Sequence, residues 1–342
     1  MNNTLKKKHI SAIGAKERVT LIIIIILFVV SGIAKPELFT AERLPEVVNS
    51  VLLWMPLILV VSVGMMMIII TRNIDLSVGA IVAVSAMVAG ILFRDFNIPI
   101  WLGFLVSMGV GYLCGAFNGF LISYLKIPAI IVTLGTMNAF RGLTFIFADG
   151  KQITGYELPK GLSSFVTEGL KIGNLIIPWI VWIAIGIAVL FYFILKKTHF
   201  GREVYAVGSN FQAAYLRGIN CKKIVFNIFC ITGVLCGIAG MMYAARYGYV
   251  NPSNTGDGFE FIVISATIIG GVSVSGGSGT VFGTFLGCIL LGTVNTMIAM
   301  VGIPGAVQTF CYGLIIVIAL LADRIVQVSQ EKKTMKLKKE VN

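Results

Sequence analysis

Long apolar runs, most near 20 residues and separated by only a few polar positions, constrain this chain more than any other feature. Hydrocarbon about 30 Å thick needs roughly 20 mainly apolar residues per helix, and only helices or closed barrels satisfy their backbone groups there. The runs are continuous rather than alternating, which selects helices over a barrel. They fall at 19–34, 47–70, 74–93, 100–125, 127–148, 175–195, 224–244, 259–272, 280–300 and 305–322. Joints as short as Arg72-Asn73 or Lys126 leave no room for a separate domain between them. The expected fold is all-α: a polytopic integral membrane helical bundle of about ten transmembrane segments, the third and eighth broken or re-entrant.

With 57% hydrophobic and 12% charged residues, the chain has too much apolar surface for one water-soluble core. Its net charge of +12 raises the question of nucleic acid, which the placement of the charges answers. Lysine and arginine cluster in an N-terminal arm (Lys6, Lys7, Lys8, Lys16, Arg18), a central loop (Lys196, Lys197, Arg202, Arg217, Lys222, Lys223) and a tail (Arg324, Lys332, Lys333, Lys336, Lys338, Lys339). These are the positive-inside anchors of a protein held in a lipid bilayer, not a nucleic-acid surface. The loops at 35–46 and 149–174 are mixed in sign, and ten crossings put every basic cluster, with both termini, on the cytoplasmic side. The layout is a cytoplasmic arm at 1–18, a transmembrane domain at 19–322 interrupted by a cytoplasmic loop at 196–223, and a cytoplasmic tail at 323–342.

The first run ends in Ser31-Gly32-Ile33-Ala34, which looks like a signal cleavage site, but removing it would put the central loop and tail out of parity with a cytoplasmic start. An uncleaved first helix is expected. Cys114, Cys230, Cys236, Cys288 and Cys311 lie in apolar spans and Cys221 in the basic loop, with no C-x-x-C pair. Neither a disulfide framework nor a metal site is indicated.

Three constellations stand out. Thr71-Arg72-Asn73-Ile74-Asp75-Leu76-Ser77-Val78-Gly79 places polar groups at the start of an apolar span, where lipid exposure is costly. Asp75 either caps the third helix or, with Asn73, lines a route or gate or a subunit contact. The run Ile269 to Gly279 is too rich in glycine for an ordinary helix and is expected to turn back or unwind, and it lacks the G-x-x-x-x-G-K-[ST] pattern of a phosphate loop. Glycines 109, 111, 115 and 119, and 283, 287 and 292, read as close helix-packing faces. Gly115-x-x-Asn118 before Ile127-Pro128 is echoed by Gly292-x-x-Asn295 before Ile303-Pro304, as an inverted repeat requires. In the central loop, Asn210 or Ser209 can cap a short helix from Phe211 to Arg217 that Gly218 ends in a left-handed conformation.

Taken together, Asn73-Ile74-Asp75-Leu76-Ser77-Val78-Gly79, the Gly270-Gly271 to Gly283-Thr284 stretch, and Phe200-Gly201-Arg202 with Ala206-Val207-Gly208 and Ala213-Ala214 resemble the permease subunits of ribose-type ABC sugar importers. The resemblance runs through essentially the whole chain in order. It implies a pore subunit paired with a second copy or a close relative, fed by an extracytoplasmic sugar-binding protein and driven by a separate cytoplasmic ATPase that binds ATP and Mg. The chain itself would hold no cofactor, perform no catalysis and sit in the bacterial inner membrane. Gln212-Ala213-Ala214-x-x-x-Gly218 is similar to the coupling pattern Glu-Ala-Ala-x-x-x-Gly, with Gln in place of Glu. On that likeness Phe211, Gln212, Ala213, Ala214, Tyr215, Leu216, Arg217 and Gly218 meet the ATPase, the two alanines allowing close approach and Phe211, Tyr215 and Leu216 anchoring. Asn73, Asp75, Ser77, Asn118, Ser273, Ser275 and Asn295 are the expected route or gate.

Thr71-Arg72-Asn73, Leu125 to Ile130 and Thr133-Leu134-Gly135-Thr136 look closer to permeases for autoinducer-2 and rhamnose. The expected substrate is a monosaccharide or sugar-like molecule: autoinducer-2 first, then rhamnose or ribose. The competing reading, an ion-coupled secondary transporter of a small polar solute, needs an intramembrane carboxylate pair, and the spans offer only Asp75 and Glu260 near their ends. An enzyme needs a nucleophile with a base, and His9 and His199 sit in basic segments with no partnering motif.

Overall fold

The computed structural model describes residues 15–40, 42–173 and 175–302, with single helical positions between 307 and 321. In chain order the elements are α1 (Ala15–Ala34), α2 (Leu44–Ile70), α3 (Val78–Phe96), α4 (Ile100–Ser123), α5 (Ala129–Ala148), α6 (Ser164–Thr167), β1 (Gly169–Ile172), β2 (Leu175–Pro178), α7 (Trp179–Lys197), α8 (His199–Ser209), α9 (Phe211–Leu216), α10 (Cys221–Tyr247), α11 (Phe259–Ile269) and α12 (Val281–Val301). Among the described residues seven helices, α2, α3, α4, α5, α7, α10 and α12, are long and apolar enough to cross a membrane. Of the other expected spans, 19–34 lies within α1, and 305–322 falls mostly outside the described residues, where Val307, Phe310, Gly313, Leu314, Val317 and Leu321 are helical. The run 259–272 yields only the 11-residue α11, about 16 Å long and half a crossing.

Without a hydrophobic drive between helices in lipid, association rests on close backbone approach, and glycine permits it. On α4, Gly111 and Gly115 face Gly233 and Phe229 of α10 so closely that a Cβ on either would overlap the opposite backbone. The Ser107 hydroxyl donates to the Gly237 carbonyl at 2.7 Å in the same seam. Gly283 and Gly287 of α12 meet Gly270, which caps the end of α11, and Ala266 of α11 in the same way. Gly109 faces open space and belongs to no such seam.

The two halves exchange partners. The second-half helix α10 packs mainly on α4 and α3, while the first-half helix α2 packs on α12 and α11. At the centre, α2 and α10 run antiparallel, with Gly64 against Thr232 and the Arg246 guanidinium donating to the Leu53 carbonyl. The broken segments sit symmetrically about this pair. Gly240 of α10 meets Val82 and Ala86 of α3, which sets the start of α3 about level with the middle of the 27-residue α10. From that same level, where Gly256 touches Gly79, α11 runs the opposite way toward Gly270. This is the inverted arrangement that the Asn118 and Asn295 echo implies.

At the end of the bundle opposite α8 and α9, the 149–178 connection is a folded cap rather than a plain loop. Ile153 pairs with Val250 through an isolated bridge, and Ile153, Leu158 and Leu162 are buried against Phe93, Met87 and Met241. The antiparallel β1–β2 hairpin takes residues 175–178 out of the expected sixth span, because Pro178 lacks the N–H to continue a helix backward and serves as the N-cap of α7.

Candidate functional site

Two helices start at mid-depth. Seven residues of non-helical backbone join α2 to α3, and the segment 248–258 leads down to α11. Irregular backbone at membrane depth is tolerated where protein or a cavity covers it, and substrate routes gather at such interruptions. Here Thr71, Asp75, Ser77 and Thr255 are all buried. Gly79 and Gly256 touch backbone to backbone, and Gly256 and Gly258 both take φ near +67°, a conformation that suits glycine.

Asp75 is 1% exposed and accepts two hydrogen bonds, from the Ser77 amide at 2.8 Å and the Ser77 hydroxyl at 2.6 Å. Ser77 in turn accepts from the Asn118 amide of α4 at 2.8 Å. Asp75 therefore caps no helical turn: the N-cap of α3 is Ser77, and the carboxylate closes a local Asx turn just before it. The Asn118 side-chain oxygen is buried without a hydrogen-bond partner. Nearby, Thr133 of α5 donates to the Ile74 carbonyl at 3.4 Å.

Not all the expected route residues join this chain. Asn73 turns away, donating to the Thr71 carbonyl at 3.0 Å. Ser273 and Ser275 lie in the glycine-rich turn near the α8 end of the bundle, where the Ser273 amide donates to the Ser278 carbonyl at 3.0 Å. Asn295 is buried on α12, whose main neighbours are α2, α11 and α1 rather than α4.

Sequence reasoning missed the junction between these parts. Arg72, at φ 64°, donates from Nε to the Gly208 carbonyl at 2.8 Å and from Nη2 to the Ser209 carbonyl at 2.7 Å. The Gly277 amide donates to the Ile70 carbonyl at 2.9 Å, and the Tyr205 hydroxyl to the Gly279 carbonyl at 2.8 Å. The missed signal is an arginine directly after an apolar run, which needs acceptors, although the sequence does not say which ones.

Beyond Ser209, α9 forms much as expected. The Asn210 side chain accepts from the Ala213 amide at 2.9 Å, and Gly218 takes φ 83° with its neighbour Ile219 donating to the Ala214 carbonyl at 3.2 Å. Phe211, Tyr215 and Leu216 are 51%, 69% and 84% exposed, apolar groups presented to solvent on a charged loop. Ala214 corrects the sequence reading: it is 3% exposed and belongs to the hydrophobic core, so only Ala213 of the two lies on the open face. Its phase on so short a helix is set by packing under α9, which the sequence motif does not reveal.

A family model for the branched-chain amino acid transport system permease component matches residues 47–320. The chain belongs to this permease family. It is thus a multi-pass membrane permease component, in agreement with the resemblance its motifs carry. Relatives of this permease include the autoinducer 2 import system permease protein LsrC of Salmonella typhimurium, 33% identical over 309 residues, which cover 90% of this chain and 85% of that protein. The LsrC of Escherichia coli K12 is 31% identical over 324 residues, covering 94% of this permease and 91% of its own length. No solved structure matches the permease. The matched region contains the α2–α3 break, α9 and the α11 turn.

Proposed function

We propose that this permease is the pore subunit of an ATP-driven importer of autoinducer 2 or a closely similar sugar-like molecule, with rhamnose or ribose as the next candidates. The observation that carries the solute class is identity near one third, sustained over about nine tenths of the chain, to permeases named for autoinducer 2 import. The family description names branched-chain amino acids instead, so the solute assignment rests on the individual relatives.

In this reading the chain pairs with a second permease, receives solute from an extracytoplasmic binding protein and is driven by a cytoplasmic ATPase that alone holds ATP and Mg. The face of α9 bearing Phe211, Tyr215 and Leu216 is the ATPase contact; apolar anchors of this kind carry most of the energy at protein interfaces. The termini and the basic loop face the cytoplasm, because the six cations at 196–223 adjoin α8 and α9 while the opposite end carries the mixed-charge cap. The Asp75–Ser77–Asn118 chain at the interruption is the gate, with Asn73, Ser273, Ser275 and Asn295 flanking the route.

Uptake of autoinducer 2 by cells carrying the permease, its binding protein and its ATPase tests the proposal. Uptake should vanish when the ATPase gene is deleted. Uptake that persists and follows a proton or sodium gradient would replace the proposal with a secondary transporter.

A further inference from the structure

Resting on that reading, we propose that Arg72 is a positioning residue that links movement of the ATPase-facing helix to the interrupted segment bearing Asp75. Its guanidinium grips the last two carbonyls of α8, Gly208 and Ser209, and the next residue, Asn210, is the N-cap of α9. A cation on the C-terminal carbonyls of a helix is favoured by the dipole and by charge-assisted hydrogen bonding, and the planar fork reaches both oxygens at once. On the other side, Arg72 leaves α2 in a left-handed conformation and starts the stretch that reaches Asp75 three residues later.

The backbone around this contact has no slack. A Cβ on Gly208 would overlap the Ile70 carbonyl, one on Gly276 would meet the Arg72 side chain, and one on Gly277 would meet Ser209. Gly277 also donates to Ile70, so the glycine-rich turn, the end of α2 and the end of α8 form one packed junction. A displacement of α8 is therefore passed to Arg72 and the glycine-rich turn rather than absorbed by flexible side chains. Lysine, a point charge on a flexible stem, cannot hold both carbonyls with the same geometry.

The test uses the assembled transporter in proteoliposomes, with autoinducer 2 and its binding protein, comparing wild type, Arg72→Lys and Arg72→Gln. Expected for Arg72→Gln is a complex that keeps its ATPase on purification and melts close to wild type, yet moves at least tenfold less solute per ATP hydrolysed. Arg72→Lys should fall between the two. Wild-type transport per ATP in Arg72→Gln would overturn the proposal. So would joint loss of the ATPase and of thermal stability, which would make Arg72 a fold or docking residue. Wild-type vesicles that accumulate solute without ATP would instead sink the importer reading itself.

Discussion

Ser77→Ala is the sharpest single test of the buried polar chain. The hydroxyl donates to Asp75 at 2.6 Å and accepts from Asn118 at 2.8 Å, and both Ser77 and Asn118 are fully buried. Hydrogen bonds between membrane helices average about 0.6 kcal/mol and reach about 1.7. A bond to a buried charged group is worth roughly 1.5–3 kcal/mol, and removing one partner leaves the other buried with a hydrogen bond fewer. Ser77→Ala should therefore cost about 2–4 kcal/mol in unfolding free energy, measured by denaturation in mixed micelles. Asn118→Ala removes only the interhelical bond together with its own amide and should cost less. The double variant should cost less than the sum of the two, by roughly the 0.6 kcal/mol of the shared bond. A Ser77→Ala cost below about 0.5 kcal/mol, or strictly additive variants, would show that the three side chains do not act as a unit.

Asp75→Asn should lower uptake strongly while leaving the amount of assembled complex near wild type, checked by co-purification alongside transport; equal loss of both would make Asp75 a packing residue. Leu216→Glu on the exposed face of α9 should weaken ATPase retention by about thirtyfold, or about 2 kcal/mol, without shifting the melting temperature. Ala214→Arg, at a buried position, should lower the permease's own thermal stability and yield even without the ATPase present. In the cap, the Thr154 amide and hydroxyl hold the Glu157 carboxylate below its ordinary range. Because that group's folded value is depressed, its contribution is present above the unfolded carboxylate value and lost as pH falls through the lowered one. Hydrogen-exchange protection near 153–158, taken relative to the intrinsic exchange rate at each pH, should fall on acidification in wild type and change less in Glu157→Gln.

Local chemistry was the most legible part of the sequence. The Asn210 cap and the Gly218 stop of α9 depend on residues a few positions apart, and both form as read. The interruption before α3 and the early end of α11 were also readable, since polar and glycine-rich stretches cannot continue an apolar helix cheaply, but α3 itself is one continuous 19-residue helix rather than the broken span expected. What depends on distant partners was not. Arg72 finds its acceptors 136 and 137 positions away. The burial of Ala214 follows from how α9 lies on the bundle, not from its own motif. The β1–β2 hairpin was hidden because Leu175 to Ile177 read as the first turn of an apolar span, an ambiguity that short apolar runs always carry.

The division of labour between a passive pore and a separate motor is tested most directly in proteoliposomes containing the permease pair, with and without the ATPase. The permease alone, lacking any phosphate-binding loop, should hydrolyse no ATP, and solute delivered by the binding protein should accumulate only when ATPase and ATP are both present. An ionophore that collapses proton and sodium gradients should leave that accumulation unchanged. ATP hydrolysis by the isolated permease, or accumulation abolished by the ionophore with ATP still present, would contradict it.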